Sequence, residues 1–489
     1  MYSVKNMYNS SPELLAKKCT NGKMLFRPFQ QFISQKIVEA ITKKNGRLIL
    51  SVPPQHGKSE LASIWLPVWF LSNFPEKHIL MFSANDKLAK KFGRKVRNII
   101  RSNKEILQCE LSEDSTASER WHTNKDGSMI SSGVGGVGVS NPGHLIIIDD
   151  PYKSWADAMS ENTREKVIDW YTNTVTQRFQ EDTTVILIQT RYHELDLAGH
   201  LLKNGVEKWQ YLRFPAIAEK GDLLKRKVGE VLVPGYKDKK FFDTRKEEMG
   251  TMAFAGVYQQ SPQAEKGNVF LREYWQKYNK ESKPKKFRRI VCSWDTASKV
   301  DVTSARSACV ILGELCGESA LDKSYYYLGT WQGKLTYPKL KKIVIQIYYE
   351  YGATHILIED KSTGSTLIQE LDGLDICVVP ITPIADKRTR AVSTTPRYEA
   401  GRVFTEEGVS WSDELIDKMA AYPSGDCADL VDAASQGIAY LHQTGFISKE
   451  VIDMISRISD NQSSSLIPTQ LSGNPLPYQG IFKFGGSNL

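Results

Sequence analysis

The stretch GRLILSVPPQHGKSE at residues 46–60 limits what this chain can fold into more than any other segment. A short apolar run, a loop holding two prolines, and Gly57-Lys58-Ser59 opening a helix form the pattern of a phosphate cradle. Backbone N–H groups at such a loop and helix start face an anion. A lysine there meets the β- and γ-phosphates, and a serine hydroxyl ligates Mg²⁺. Pro54, Gln55, His56, Gly57, Lys58, Ser59 and Glu60 are therefore the candidate ATP-binding stretch. One part of the full pattern is missing: the glycine expected five residues before Gly57 is Val52. Context points the same way as the loop. A helix is predicted over Leu61 to Phe74, and about 90 residues beyond Lys58 the run LIIIDD (145–150) ends an apolar strand on two acids. Mg²⁺-nucleotide chemistry needs such a pair, Asp149 to hold the metal and Asp150 to polarise the attacking water. A buried strand ending in an ordinary polar turn needs no adjacent acids.

At 489 residues the chain has room for two to four domains, each with its own core. Net charge is +8, and the basic residues cluster in KKFGRKVRNIIR (90–101), KPKKFRR (283–289) and DKRTR (386–390), which points to a polyanionic partner. Seven cysteines without CxxC spacing fit neither a disulfide framework nor a zinc site, and suit a reducing compartment. No apolar run approaches a membrane span, and MYSVKNMYNS lacks the regions of a signal peptide, so an intracellular, non-secreted protein is expected.

Strand-like runs RLILSV, HILMFSA (78–84), HLIIID (144–149), TTVILIQT (183–190) and WQYLRF (209–214) alternate with helical stretches. That alternation predicts an α/β domain with a mainly parallel sheet over residues 1–213. Ahead of it, LFRPFQQFISQKIVEAITKK (25–44) reads as a Pro-started amphipathic helix whose Arg27 and Gln30 lie within reach of a nucleotide. Residues 214–285 are Lys- and Gly-rich and read as a linker or lid subdomain. A second block over 286–445 opens with RIVCSW, ACVILGEL and SYYYLGTWQ, spaced as an antiparallel meander. A helix from Tyr337 to Tyr351 and the strands THILIED and ICVVPITP follow. Residues 446–489 are Ser/Pro/Gly-rich and read as a flexible tail. Gly133, Gly135 and Gly138 satisfy GxGxxG but precede a strand instead of following one, so they are no dinucleotide fingerprint.

The second block carries its own acids. Asp295 ends its first strand, Glu359 its fourth, and Asp429 and Asp432 open a helix near its end. Acids converging from strand ends and a later helix in an RNase H-like order can hold two divalent metals for phosphodiester hydrolysis. All-carboxylate ligation suits Mg²⁺ or Mn²⁺. Lys387, Arg388 and Arg390, with Arg397 and Arg402 nearby, read as a basic loop after the fifth strand that holds DNA phosphates.

Taken in order, PPQHGKSE, LIIIDDP, LIQTRYHELD, MGTMAFAGVYQQSP, SWDTAS, LIEDKSTG and the Asp429/Asp432 segment resemble the large terminase subunit of tailed double-stranded DNA bacteriophages, across about residues 25–440. The resemblance implies an N-terminal P-loop (ASCE-type) ATPase that drives viral double-stranded DNA into a procapsid, joined to an RNase H-like endonuclease that cuts concatemers. It implies ATP with Mg²⁺ at the first site and two Mg²⁺ or Mn²⁺ at the second. The implied partners are the portal protein, a small terminase subunit and further copies of the chain in a ring of five. The implied location is the host cytoplasm, with a stay on the procapsid portal. By the same resemblance Lys58 and Ser59 take the phosphates and metal, Asp149 the metal and Asp150 the general-base role. Gln189-Thr190-Arg191 matches a coupling motif that senses the γ-phosphate, and Asp295, Glu359 and Asp429 match the nuclease acids with Asp432 in support. One departure stands out. Relatives often carry an arginine in the phosphate loop, where this chain has Gln55, and Arg94, Arg97 and Arg120 are the candidates to replace it.

Two other readings compete: a helicase or translocase whose second block only binds nucleic acid, and a non-catalytic assembly factor with decayed sites. The tail after Phe446, with Leu466, Leu476, Phe482 and Phe484 as apolar anchors, is the segment expected to reach the portal.

Overall fold

The structure is a computed structural model that describes residues 10–113, 117, 119–136, 141–262, 269–296, 306–317, 323–361, 363–383, 386–423 and 428–443. The expected portal-docking tail and Gly138 lie outside the described residues.

Two seven-stranded sheets organise the chain. The first holds β1 (Arg47–Ser51), β2 (His78–Ser83), β3 (Arg120–His122), β4 (Ser128–Gly133), β5 (Gly143–Asp149), β6 (Phe179–Ile188) and β7 (Gln210–Arg213). Their order is β3-β4-β2-β5-β6-β1-β7, parallel throughout except for β3 at the edge. Both faces are covered, which is why the inner strands are unbroken apolar runs. Leu48, Leu50, Ile79, Met81 and Ile147 enter one core, and Ile49, Leu80, Ile146, Ile148 and Leu187 the other. All five predicted strands are present. β3 and β4 escape sequence reading because RWH is short and SMISSG is small and polar, although Ser128 and Ser131 are buried.

Register sets the site. Leu50 on β1 pairs with Ile188 on β6, and Ile188 pairs with Asp149 on β5. The three strands therefore end level, and the phosphate loop, the two acids and Gln189-Thr190 leave the same carboxyl edge, where open α/β sheets bind ligands.

The second sheet holds β8 (Gln276–Tyr278), β9 (Arg289–Asp295), β10 (Ser307–Cys316), β11 (Lys323–Gly333), β12 (His355–Glu359), β13 (Val378–Ile381) and β14 (Val403–Glu406), in the order β13-β12-β9-β10-β11-β14-β8. β9, β10 and β11 form the predicted antiparallel meander, and β12 and β13 then run parallel to β9. The intervening helix spans Tyr337–Glu350. Val291, Val310 and Leu357 face one core; Cys292, Ile311, Ile356 and Ile358 face the other.

The segment expected as one linker over 214–285 divides between the sheets. Residues 214–262 fold onto the first domain: Phe214 N–H donates to the Ser51 carbonyl at 2.9 Å, and Phe242 and Phe254 pack around Ala216. Gln276–Tyr278 instead extends the second sheet beside β14, because Tyr278 is buried there and its hydroxyl donates to the Tyr327 carbonyl at 2.7 Å.

The helix Lys239–Val257 breaks at Gly250 (φ 81°), where it meets the helix Lys387–Glu399. A side chain at Gly250 would place its Cβ 2.9 Å from Pro396 Cγ, and Thr251 N–H donates to Glu399 Oε2 at 2.9 Å. Among the described residues no helix is long and apolar enough to cross a membrane, and the cysteines are free thiols.

Candidate active sites

At the first site the loop alternates in hand. Gln55 (φ 62°) and Gly57 (φ 76°) lie in the left-handed region on either side of His56, a geometry that turns successive N–H groups toward one concavity. Gln30 fixes this shape by donating from Nε2 to the carbonyls of His56 (3.3 Å) and Gly57 (3.5 Å). Its Oε1 accepts from Arg27 N–H at 2.8 Å. His56 is buried, packs between Tyr236 and Phe242, and contacts the Pro54 carbonyl through Nδ1 at 2.9 Å. Burial pushes its imidazole down to about 4, so it is a neutral structural ring. The expected helix begins with a π-helical turn over Glu60–Trp65 before continuing as Leu66–Asn73. Such widened turns recur at functional sites.

A glycine is required at 57. An alanine Cβ there would meet Gln30 Nε2 at 2.6 Å in a backbone conformation that L-residues adopt at a cost of about 1–2 kcal/mol. Gly57→Ala is expected to weaken nucleotide binding at least about 10-fold while lowering the melting temperature only slightly. Nucleotide titration alongside thermal melts checks this.

Lys58 points into the edge where the strands end. Its ammonium pairs with Asp150 Oδ2 at 2.7 Å and donates to Thr190 Oγ1. Thr190 N–H donates to Asp150 Oδ1 at 2.6 Å. Asp150 itself takes φ 44° just past β5, which turns its side chain across to β6. Asp149 is buried and accepts from Ser63 Oγ at 2.6 Å, with Ser59 as a second hydroxyl donor. Burial first, and the Asp150 charge second, push its carboxyl well up. Its Oδ1 is buried without a hydrogen-bond partner. An orphaned oxygen on a buried carboxylate fits a Mg²⁺ ion, so Asp149 and the nearby Ser59 are the residues that would hold one.

Two predicted members point elsewhere. Glu60 pairs with Lys95 at 2.6 Å. The Arg191 guanidinium is committed to Asp196 (3.0 Å) and Tyr211 Oη (3.3 Å), and the motif meets the site through Thr190 instead. Sequence reading missed Ser63, which sits four residues after Ser59 on the same helical face. It also missed Tyr236 and Lys237, which carry no local signal.

At the second site Ile358 lies opposite Trp294, so Glu359 and Asp295 end adjacent parallel strands at one level. The helix Ala428–Gln443 crosses behind them. Gln436 Nε2 donates to Ser293 Oγ (3.1 Å) and the Trp294 carbonyl (3.3 Å), and Gly437 allows the close approach because a Cβ there would meet Leu312 at 2.5 Å. Asp429 and Asp432, three residues apart, therefore share the face turned to the strand ends. Lys323 ties down the far end of this helix, donating to the Leu441 carbonyl (2.8 Å) and pairing with buried Glu314 (3.1 Å). Burial, chiefly, pushes Asp295 up to about 7; Asp432, Asp429 and Glu359 act in the same direction and Lys387 opposes them. Four carboxylates thus feel one another's charge.

The expected basic loop is the first turn of the helix Lys387–Glu399, because Asp386 caps it by accepting from Thr389 N–H at 2.9 Å. Lys387 and Arg390 turn inward. Lys387 pairs with Asp432 and with Asp295 (3.4 Å), and Arg390 with Glu359 (3.1 Å) and Asp432 (3.9 Å). Burial works to raise Glu359, yet hydrogen bonds from Lys361 and Arg390 hold it below its ordinary value. Arg388 is exposed and lies toward His193 and Arg164 of the first domain. Arg397 is wedged between the Glu248 carbonyl (3.3 Å) and His442. Among the described residues no three metal-ligating groups stand close enough to hold an ion as they are, since two cations sit between the acids. The donor chemistry still fits a hard dication. Asp295, Glu359, Asp429 and Asp432 are the residues that would hold it once Lys387 and Arg390 yield.

Fold and sites together define a P-loop-type α/β domain joined to an RNase H-like domain. The family described as "Terminase large subunit, T4likevirus-type, N-terminal" matches residues 49–277, and "Terminase RNaseH-like domain" matches residues 292–441. The chain belongs to the terminase large subunit family. No relative was found among curated proteins. Among solved structures, a large terminase from a thermophilic bacteriophage (crystal form 2) shares the fold at TM-score 0.50 and 9% identity, over 86% of this chain and 99% of that one. The HK97 bacteriophage large terminase is similar at TM-score 0.37 and 13% identity, over 86% and 95%. The large terminase nuclease of thermophilic phage G20c, with bound magnesium, covers 36% of this chain and 98% of its own at TM-score 0.28 and 13% identity.

Proposed function

We propose that this protein uses ATP to drive viral double-stranded DNA into a procapsid and cuts the concatemeric substrate with a metal-dependent nuclease. The observation that carries the reading is the pairing, on one chain, of a candidate phosphate loop whose lysine meets Asp150 and a separate cluster of four acids, two at strand ends of the second sheet and two on the helix crossing behind them. Mg²⁺ bound with ATP would shield phosphate charge, and dications at the second site would activate water and stabilise the leaving oxygen. The chain's own groups do the rest. Loop N–H groups hold the phosphates, and Lys58 leaves Asp150 for them. That frees the Asp150 carboxylate to orient water, with Thr190 reporting the change to β6. At the second site Lys387 and Arg390, released from the acids, lie where they can meet DNA phosphates. Known large terminase structures with ADP and with magnesium are consistent with ATP and Mg²⁺ as cofactors here. The partners in this reading are portal, small terminase subunit and further copies of the chain in a ring, in the host cytoplasm.

Linear DNA, ATP, Mg²⁺ and portal-bearing procapsids test it directly. DNase-protected DNA should accumulate with ATP and not with a non-hydrolysable analogue. Steady hydrolysis with no protected DNA would overturn packaging and favour a free translocase.

A further inference from the structure

The phosphate loop has one lysine of its own, and that lysine is already shared by Asp150 and Thr190. A second ammonium reaches the loop from outside the sheet. Lys237 belongs to the 214–262 segment, donates to Gln55 Oε1 at 2.9 Å, and is only 9% exposed. It lies over the rings of Phe241 (4.8 Å) and Tyr236 (5.4 Å) and has no carboxylate partner among the described residues. Burial, then the charge of Arg245, pushes it below its ordinary value.

Burying an ammonium against an amide oxygen and aromatic faces is costly, and the cost falls when an anion joins. The neighbours hold the lysine in that position. Tyr236 Oη donates to the Gln55 carbonyl at 3.0 Å, and the Arg27 guanidinium covers the other ring contact at 4.4 Å from the Tyr236 centroid. Gln55 is the left-handed residue that helps turn the loop's N–H groups toward the anion.

We propose that Lys237 is a substrate-binding cation of the nucleotide site: with a triphosphate in the loop, its ammonium exchanges the Gln55 amide oxygen for a phosphate oxygen. This rests on the ATPase reading above, and it gives the loop the extra positive charge that Gln55 lacks. It also makes the 214–262 segment part of the nucleotide site instead of a passive connector.

The test is equilibrium binding of fluorescent mant-AMPPNP with Mg²⁺ to the full chain. Lys237→Met keeps the stem's packing on the rings but removes the charge, and should weaken binding about 10- to 100-fold. Lys237→Arg should stay within about 3-fold of wild type, and all three proteins should be folded and unfold cooperatively without nucleotide. A methionine variant that binds like wild type overturns the assignment and leaves the ATPase reading intact. Equal losses in Met and Arg variants also overturn it, because packing and not charge would then matter. Failure of the wild-type chain to bind overturns both.

Discussion

Asp295→Ala is expected to lower metal-dependent cleavage of plasmid DNA by about 1,000-fold or more while ATP hydrolysis continues. The carboxylate ends β9 beside Glu359, faces Asp429 and Asp432, and is pushed up to about 7 mainly by burial. Burial sets that value against the opposing charge of Lys387 at 3.4 Å, and a dication joining the cluster would further favour the ionised carboxylate. In the proposed reading, removing it would delete a dication ligand worth several kcal/mol of transition-state stabilisation, which is the factor stated. The separation of the sheets keeps the ATPase edge unaffected. Agarose-gel nicking with Mg²⁺ or Mn²⁺, run beside a phosphate-release assay, reads both activities. Equal cutting by wild type and variant, or none by either, would reduce the second domain to a binding module.

Lys58→Ala should have the mirror effect: ATP turnover down by about 1,000-fold or more, plasmid cutting retained. The ammonium is the loop's own side-chain cation and also neutralises Asp150, which accepts from Thr190 N–H. Without it the phosphates lose a charge-assisted contact, and a carboxylate is left facing them without its counter-ion. Both changes raise the barrier, so the loss should exceed that of a single deleted hydrogen bond. Steady-state hydrolysis with saturating DNA measures it. A variant that still hydrolyses ATP at a tenth of the wild-type rate would mean that the phosphates lie elsewhere.

Between them these variants separate the rival readings. A translocase with an inert second domain responds to Lys58→Ala and not to Asp295→Ala. An assembly factor with decayed sites shows neither activity to lose.

Local pattern made much of this legible. Apolar runs in series gave five strands of the first sheet, because a strand buried on both faces has to be apolar without interruption. Acids directly after such runs, Asp149, Asp295 and Glu359, fall at carboxyl ends, since a strand that leaves the core must become polar there. Gly57-Lys58-Ser59 marked a tight turn into a helix at the end of β1, and Gly57 takes φ 76° there. The sequence by itself therefore determined two α/β sheets and the edge residues each would present.

Only the tertiary structure decided which side chains meet. Lys387 and Arg390 read as an exposed basic loop, yet an Asp386 cap winds them into a helix that aims them at the acids. Arg191 reads as a nucleotide residue and is taken up by Asp196. Lys237 has no local signal at all, and reaches Gln55 across an interval of more than 180 residues. Periodicity reports the face a residue turns within its own strand or helix. Ion pairs between elements depend on register and crossing geometry, which packing of the whole core fixes.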